Sequence, residues 1–267
     1  IVTDSHLRQN MNKNNVFNVR SLLLILITAF ISLRALASDP GDIHALKVQA
    51  TNAMTSFYMY QGLDADLKYA NRIDQSMAAA YAAASRIIGG TDEDINEEAA
   101  TEMVAHWDTF NNLMAANRKD IVTRGYPDMR LVNEMGDACL ALVNAADQLT
   151  TTGNVSDVTR IARALAFRMS DITSQYTGRG TSNLGQVFVG YQEQTPKEMA
   201  TEFENLLDQL DSKIPEEDAL RVNAIRHKWE FLSRSISNYN ENSVPFLVVN
   251  YNDSIVEALH QLAAAYE

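Results

Sequence analysis

Few side chains in this sequence are placed to do chemistry. Past the N-terminal stretch the histidines are His44, His106, His227 and His260, and they are scattered. None falls in an H-E-x-x-H pattern, which would set two imidazoles on one helical face around zinc. Glu102 and His106 stand four apart and make half of a metal site, but no second Glu–His pair at that spacing joins them. Cys139 is the single cysteine, so neither an internal disulfide nor a Cys-rich metal site can form, and there is no C-x-x-C-H for a covalently held haem. No Ser/His/Asp order stands out, and no glycine-rich phosphate loop exists. These residues point to a protein with no metal and no cofactor that is not an enzyme.

The most informative charge is Arg168. If Val158, Ile161, Leu165 and Ile172 form the apolar seam of a helix, Arg168 falls between the last two and faces a bundle interior. A buried guanidinium needs a carboxylate partner or an anionic ligand. The same counting places Asp74 between Ala70 and Met77. Three readings follow: Arg168 forms a buried pair with Asp74 or another acid that fixes register, or Arg168 and Arg72 offer planar, multi-donor guanidinium groups to a small anion, or the periodicity drifts and both charges are solvated.

The elements that must carry these residues read as helices throughout. From Ile43 to Ile88 there is no proline and one glycine, and Leu63, Leu67, Ala70, Met77, Ala84 and Ile88 recur at helical spacings up to a stop at Gly89-Gly90. Thr91-Asp92-Glu93-Asp94 offers the next helix an N-cap and an acidic first turn. Further leucine- and alanine-rich stretches run over about 94–122, 128–150, 155–177, 196–212, 216–240 and 244–266. Pro127, Pro196, Pro215 and Pro245 stand at their starts, where a missing N–H costs nothing. Gly178–Gly190 reads as a glycine-rich loop between helices, and Gln186–Tyr191 is the only weak strand candidate. With 11 glycines and 5 prolines in 267 residues, turns are too sparse for a sandwich or barrel, and the fold class is all-α.

Residues 1–37 read as a leader. After Met11 come Lys13 and Arg20, the short apolar run 21–31, and Ala35-Leu36-Ala37, the order of a secretory signal peptide cleaved after Ala37. The apolar run is too short to span a bilayer, which takes about 20 residues. The expected product is a soluble periplasmic or secreted chain, Ser38–Glu267, with no transmembrane segment. The net charge of the whole sequence is −12; since the leader holds Arg8, Lys13, Arg20 and Arg34 against Asp4, the product stands at −15. That balance excludes nucleic acid as a partner, because phosphate backbones select clustered Lys and Arg. Cys139, within Ala138-Cys139-Leu140-Ala141-Leu142-Val143, reads as a buried small hydrophobe.

The product divides into two similar parts, 43–150 and 155–267. Trp107-Asp108-Thr109-Phe110 and Trp229-Glu230-Phe231-Leu232 each close an amphipathic helix, and each leads through a polar break to a second apolar helix that holds Asp137 or Asp253. Asn71-Arg72-Ile73-Asp74-Gln75-Ser76-Met77 and Ala162-Arg163-Ala164-Leu165-Ala166-Phe167-Arg168-Met169-Ser170 resemble the arginine-bearing helix of PilJ-type domains. Those domains are the helical sensor modules of type IV pilus chemoreceptors, related to the periplasmic bundles of nitrate sensor kinases. The resemblance covers most of 43–267 as two tandem copies. It implies a four-helix up-down bundle in each, small-ligand sensing without catalysis, and Arg72, Gln75, Arg168 and Ser170 as ligand-facing positions. The functional expectation is an exported ligand-binding or signal-relay protein that senses a small anion and acts through a membrane receptor or pilus component. The alternative is a structural, envelope- or pilus-associated interaction module with no small ligand. Intact-mass analysis of the exported product should give a chain that begins at Ser38; retention of residues 11–37 would contradict the leader.

Overall fold

The computed structural model describes residues 40–90, 96–149, 154–181, 194–238 and 244–267. It is all-α, with no strand among the described residues. Among the described residues eight helices follow one another: α1 Pro40–Gly62, α2 Leu67–Gly89, α3 Glu97–Arg124, α4 Met129–Asp147, α5 Asp157–Gly180, α6 Pro196–Lys213, α7 Ala219–Ser237 and α8 Pro245–Ala265, with a 3-10 turn Glu216–Asp218 before α7. Ala37–Glu267 form one compact unit.

The packing has a simple plan. In the first four helices α1 lies against α2 and α4, α3 lies against α4, and α2 touches α3 lightly. In the last four, α5 lies against α6 and α8, and α7 lies against α6 and α8. The two sets meet chiefly where α1 packs on α5. Each set encloses its own apolar cluster. Val48 of α1 belongs to the second cluster and Val249 of α8 to the first, so the interiors reach into each other.

Most helices bury one stripe, as their periodicity requires. Met103, Trp107, Phe110, Met114 and Ile121 do so on α3, and Val222, Ile225, Trp229, Leu232 and Ile236 on α7. The helices α1 and α5 differ. From Thr51 to Tyr60 all residues of α1 but Asn52 are buried, and α5 buries most of its girth, with Phe167, Arg168, Asp171 and Gln175 half-buried on the remaining side. A helix covered on all sides is a central one. Trp107 and Trp229 sit on the third helix of each set and are core residues. Trp229 lies 4.2 Å from the ring of Phe203, and its Nε1 donates to Glu204 at 3.1 Å.

Local chemistry sets the ends. Ser156 Oγ accepts from Thr159 N at 3.0 Å and caps α5, and Thr195 with Glu198 forms a reciprocal capping box on α6. Gly125 takes φ 83 to end α3, a conformation that favours glycine. The cap of α3 is Asn96, whose Oδ1 accepts from Ala99 N at 3.3 Å. The expected cap at 91–94 lies outside the described residues, as do Gln186–Tyr191 and the leader. Gly178 and Gly180 lie in the last turn of α5, so the helix runs into the stretch expected to be loop.

One expectation is corrected. Ile43–Ile88 is two helices, not one. The chain turns at Leu63–Asp66 with Asp64 and Ala65 at φ 49 and 63, and Asp66 Oδ1 caps α2 by accepting from Lys68 N at 2.7 Å. Leu63, Leu67 and Ile88 are exposed, and the true seam of α2 is Tyr69, Ile73, Ala80, Ala84 and Ile87. At this turn the end of α1 is also pressed onto the end of α5. A Cβ on Gly62 would stand 2.5 Å from Thr181 Cβ. Gly62→Ala should therefore cost about 1–3 kcal/mol in urea denaturation, as overpacked sites do. Gly89→Ala, with open space around it, should stay within about 1 kcal/mol and on the stabilising side. Equal effects would contradict the close approach.

Candidate functional site

A cleft of about 540 Å³ opens where α1, α4 and α5 come together. Thr51, Met54 and Tyr58 of α1 form its floor, Asp137, Leu140, Val143 and Asp147 of α4 one wall, and Phe167, Arg168, Asp171 and Gln175 of α5 the other. Its position follows from the central pair: α1 is held by α5 on one side and α4 on another, and the residues where the three diverge are left uncovered.

Arg168 lines this cleft but is not free. Its Nη1 donates to Asp171 Oδ2 and Gln194 Oε1, both at 3.2 Å, and its Nη2 lies 2.8 Å from Glu202 Oε2 of α6. Its partners are thus Asp171 on α5, Glu202 on α6 and Gln194 just before α6, and Asp74 is not among them. Asp74 is largely exposed and takes Arg118 of α3 at 2.5 Å. The expected interior position of Asp74 is corrected by the same register change that moved the α2 seam. Arg72 makes a two-pronged pair with Asp253 of α8, Nη1 to Oδ2 at 2.7 Å and Nη2 to Oδ1 at 2.8 Å. It therefore ties the first set of helices to the second.

The four positions implied by the PilJ resemblance are not gathered into one site. Arg168 lines the cleft; Arg72 is on α2, the second helix of its set, whereas Arg168 is on the first of its own. Gln75 is exposed on α2. Ser170 is fully buried, and its hydroxyl has no partner. Both arginines spend their donors on carboxylates, which leaves little for an anion.

The electrostatics of the cleft are acidic. Burial pushes the Asp171 carboxyl above its usual range, while the Arg168 guanidinium and the amide of Gln175, which donates at 3.2 Å, pull it back. Burial also raises the Tyr58 phenol, aided by Cys139 and Asp137, and pushes the Cys139 thiol up to about 12. A thiol so held stays protonated and is a poor nucleophile. Cys139 is buried, as its apolar neighbours in the sequence indicated. The ammonium of Lys47 pairs with Asp147 and sits 4.2 Å above the centre of the Phe167 ring. No group of three metal-ligating side chains occurs among the described residues.

Sequence reading missed a second feature. His44 of α1 and His260 of α8 meet Nε2 to Nε2 at 3.0 Å with their rings nearly perpendicular. One Nε2 must donate and the other accept, which fits two neutral rings. Burial, then His260, Arg163 and Lys47, push His44 down to about 3; burial also lowers His260, with Glu257 opposing and Arg163 assisting. The residues are 216 positions apart, so nothing local joins them. The one available signal was that each stands beside interior positions, His44 two before Leu46 and His260 next to Leu259.

No family model, no curated protein and no solved structure matches the chain.

The histidine pair carries a pH prediction. An unfolded histidine gains its proton near 6.5, while folded His44 resists until about 3. The unfolded state therefore binds more protons between these limits, and stability falls as pH drops through that window. Urea midpoints measured from pH 7.5 to 5 should decline in the wild type and decline less in His44→Gln. The same slope in both would contradict the pairing.

Proposed function

We propose that this chain is an exported, non-catalytic ligand-binding module of PilJ-like character that relays the occupancy of its cleft to a protein partner, a membrane receptor or a pilus component. The observation that carries this reading is the place of the cleft. It lies at the junction of α1, α4 and α5, where the two sets of helices are joined. An occupant that contacts α4 and α5 at once changes how one set seats on the other, and a ligand shifts an equilibrium only through such differential contact. A cleft of this size, with apolar and polar side chains in its lining, is of the kind that holds small molecules. Export rests on the leader pattern of residues 11–37, and among the described residues no helix is long and apolar enough to cross a membrane.

The absence of catalysis in this reading rests on chemistry. The cysteine is protonated, the histidines of the pair engage each other, and the cleft's arginine is held by carboxylates. None of them stands as a nucleophile beside a base.

Thermal melts against a panel of amines, amino acids, small carboxylates, nitrate and neutral aromatics test the reading. A ligand that binds the native state alone raises the midpoint. At least one class should do so, and Gly136→Leu should abolish the shift. A Cβ at Gly136 meets only the Tyr58 hydroxyl, at 3.8 Å, so a side chain begins there without a clash and takes up cleft volume. No shift from any class, with capture of an envelope protein by ligand-free chain, would favour the interaction module instead.

A further inference from the structure

We propose that the occupant of the α1–α4–α5 cleft is a small organic cation, a protonated amine on an apolar body; this rests on the ligand-binding reading above. The polar groups that line the cleft are dominated by acceptors. Three carboxylates face it, Asp137 and Asp147 from α4 and Asp171 from α5. Asp147 takes Lys47 and Asp171 takes Arg168, but Asp137 forms no ion pair or hydrogen bond among the described residues. The Gln175 carbonyl oxygen is buried without a donor. The donors of Arg168 are directed to Asp171, Gln194 and Glu202, so the guanidinium is already neutralised. What the cleft lacks is a donor for the Asp137 carboxylate and the Gln175 oxygen, and an ammonium supplies one.

Two further observations point the same way. Tyr58 is 3% exposed, and its hydroxyl makes no hydrogen bond among the described residues; it lies on the floor of the cleft next to Gly136, where no side chain covers it. The ring is buried while the hydroxyl opens onto the cleft without a protein partner, so a ligand N–H there finds an acceptor. Lys47 then shows what the site accepts. Its ammonium rests 4.2 Å over the Phe167 ring while paired with Asp147, at the edge of the same cleft. An aromatic face beside a carboxylate is a recurring cradle for amine cations. The acidic balance of the whole chain raises the local concentration of cations further. Met54, Leu140 and Val143 supply the surface for the apolar body.

Three probes of matched shape test the class: 2-phenylethylamine, 2-phenylethanol and phenylacetate, each titrated by calorimetry into the full exported chain. The amine should bind at least about tenfold more tightly than phenylacetate. Asp137→Asn, an exposed position whose exchange leaves the melting temperature in place, should weaken the amine about tenfold and leave phenylethanol unchanged, and Tyr58→Phe should weaken the amine as well. Tenfold corresponds to about 1.4 kcal/mol, the scale of one charge-assisted hydrogen bond. Phenylacetate or phenylethanol binding as tightly as the amine, with loss in Gly136→Leu, would overturn the cation while the cleft reading stands. No binding by any probe would overturn the cation too, and the broad panel then shows whether the cleft reading falls with it.

Discussion

The packing of α1 on α5 is the constraint from which the rest of the structure follows. The middle of α1 is buried around its girth and α5 around most of its own, so both must be matched by neighbours on most sides. The sequence meets this with small and β-branched polar residues set among large apolar ones such as Phe57, Met59, Leu165 and Met169. Thr51, Thr55, Thr177 and Thr181 donate their hydroxyls to the carbonyl four residues back on their own helix, which hides the polar group and leaves a methyl for the neighbour. That economy lets the helices approach until Gly62 meets Thr181 with no room for a methyl. Closeness has a cost. The hydroxyls of Ser56 and Ser170 are buried with no partner, an arrangement that forgoes about 1–3 kcal/mol where it is not relieved.

Polar contacts then index the surrounding helices on this core. Thr173 reaches Asn252 of α8 at 3.2 Å, and Thr159 donates to the Ala263 carbonyl at 2.9 Å, so α8 is registered on α5. Arg72 with Asp253 fastens α2 to α8 across the two sets, and His44 with His260 fastens α1 to α8. These links are directional where apolar packing is not. Between them, on the side that α4 shares with α5, lies the cleft. A binding site at a seam between packed layers needs no separate scaffold: the surfaces already meet there, and the residues that diverge provide the lining.

The helical class was legible because it needs only local information. Periodicity, capping residues and proline at helix starts gave six of the helices to within a few residues, and Cys139 could be placed in the core from its neighbours. Where two readings of period competed, local information failed. Leu63, Leu67 and Ile88 lie on a plausible seam, yet they are exposed, because the turn at Leu63–Asp66 resets the phase. That slip carried Asp74 into a supposed interior and paired it with Arg168. The arginines were correctly singled out as charges that need partners, but Asp253 and Glu202 are 181 and 34 residues away from theirs, and no spacing rule reveals them. The cleft was hidden for the same reason. Its lining comes from three helices whose mutual arrangement no single stretch encodes.

Native-state hydrogen exchange with increasing denaturant tests the central claim most directly, since it reports which segments open together. If α1 and α5 form the shared core, amides of residues 51–60 and 161–177 will be the slowest in the chain and will exchange in one class, at the free energy of global unfolding. If instead the first four helices open as one unit and the last four as another, with α1 and α5 in separate classes, the shared core is contradicted, and with it the account of the cleft as a site that couples the two sets.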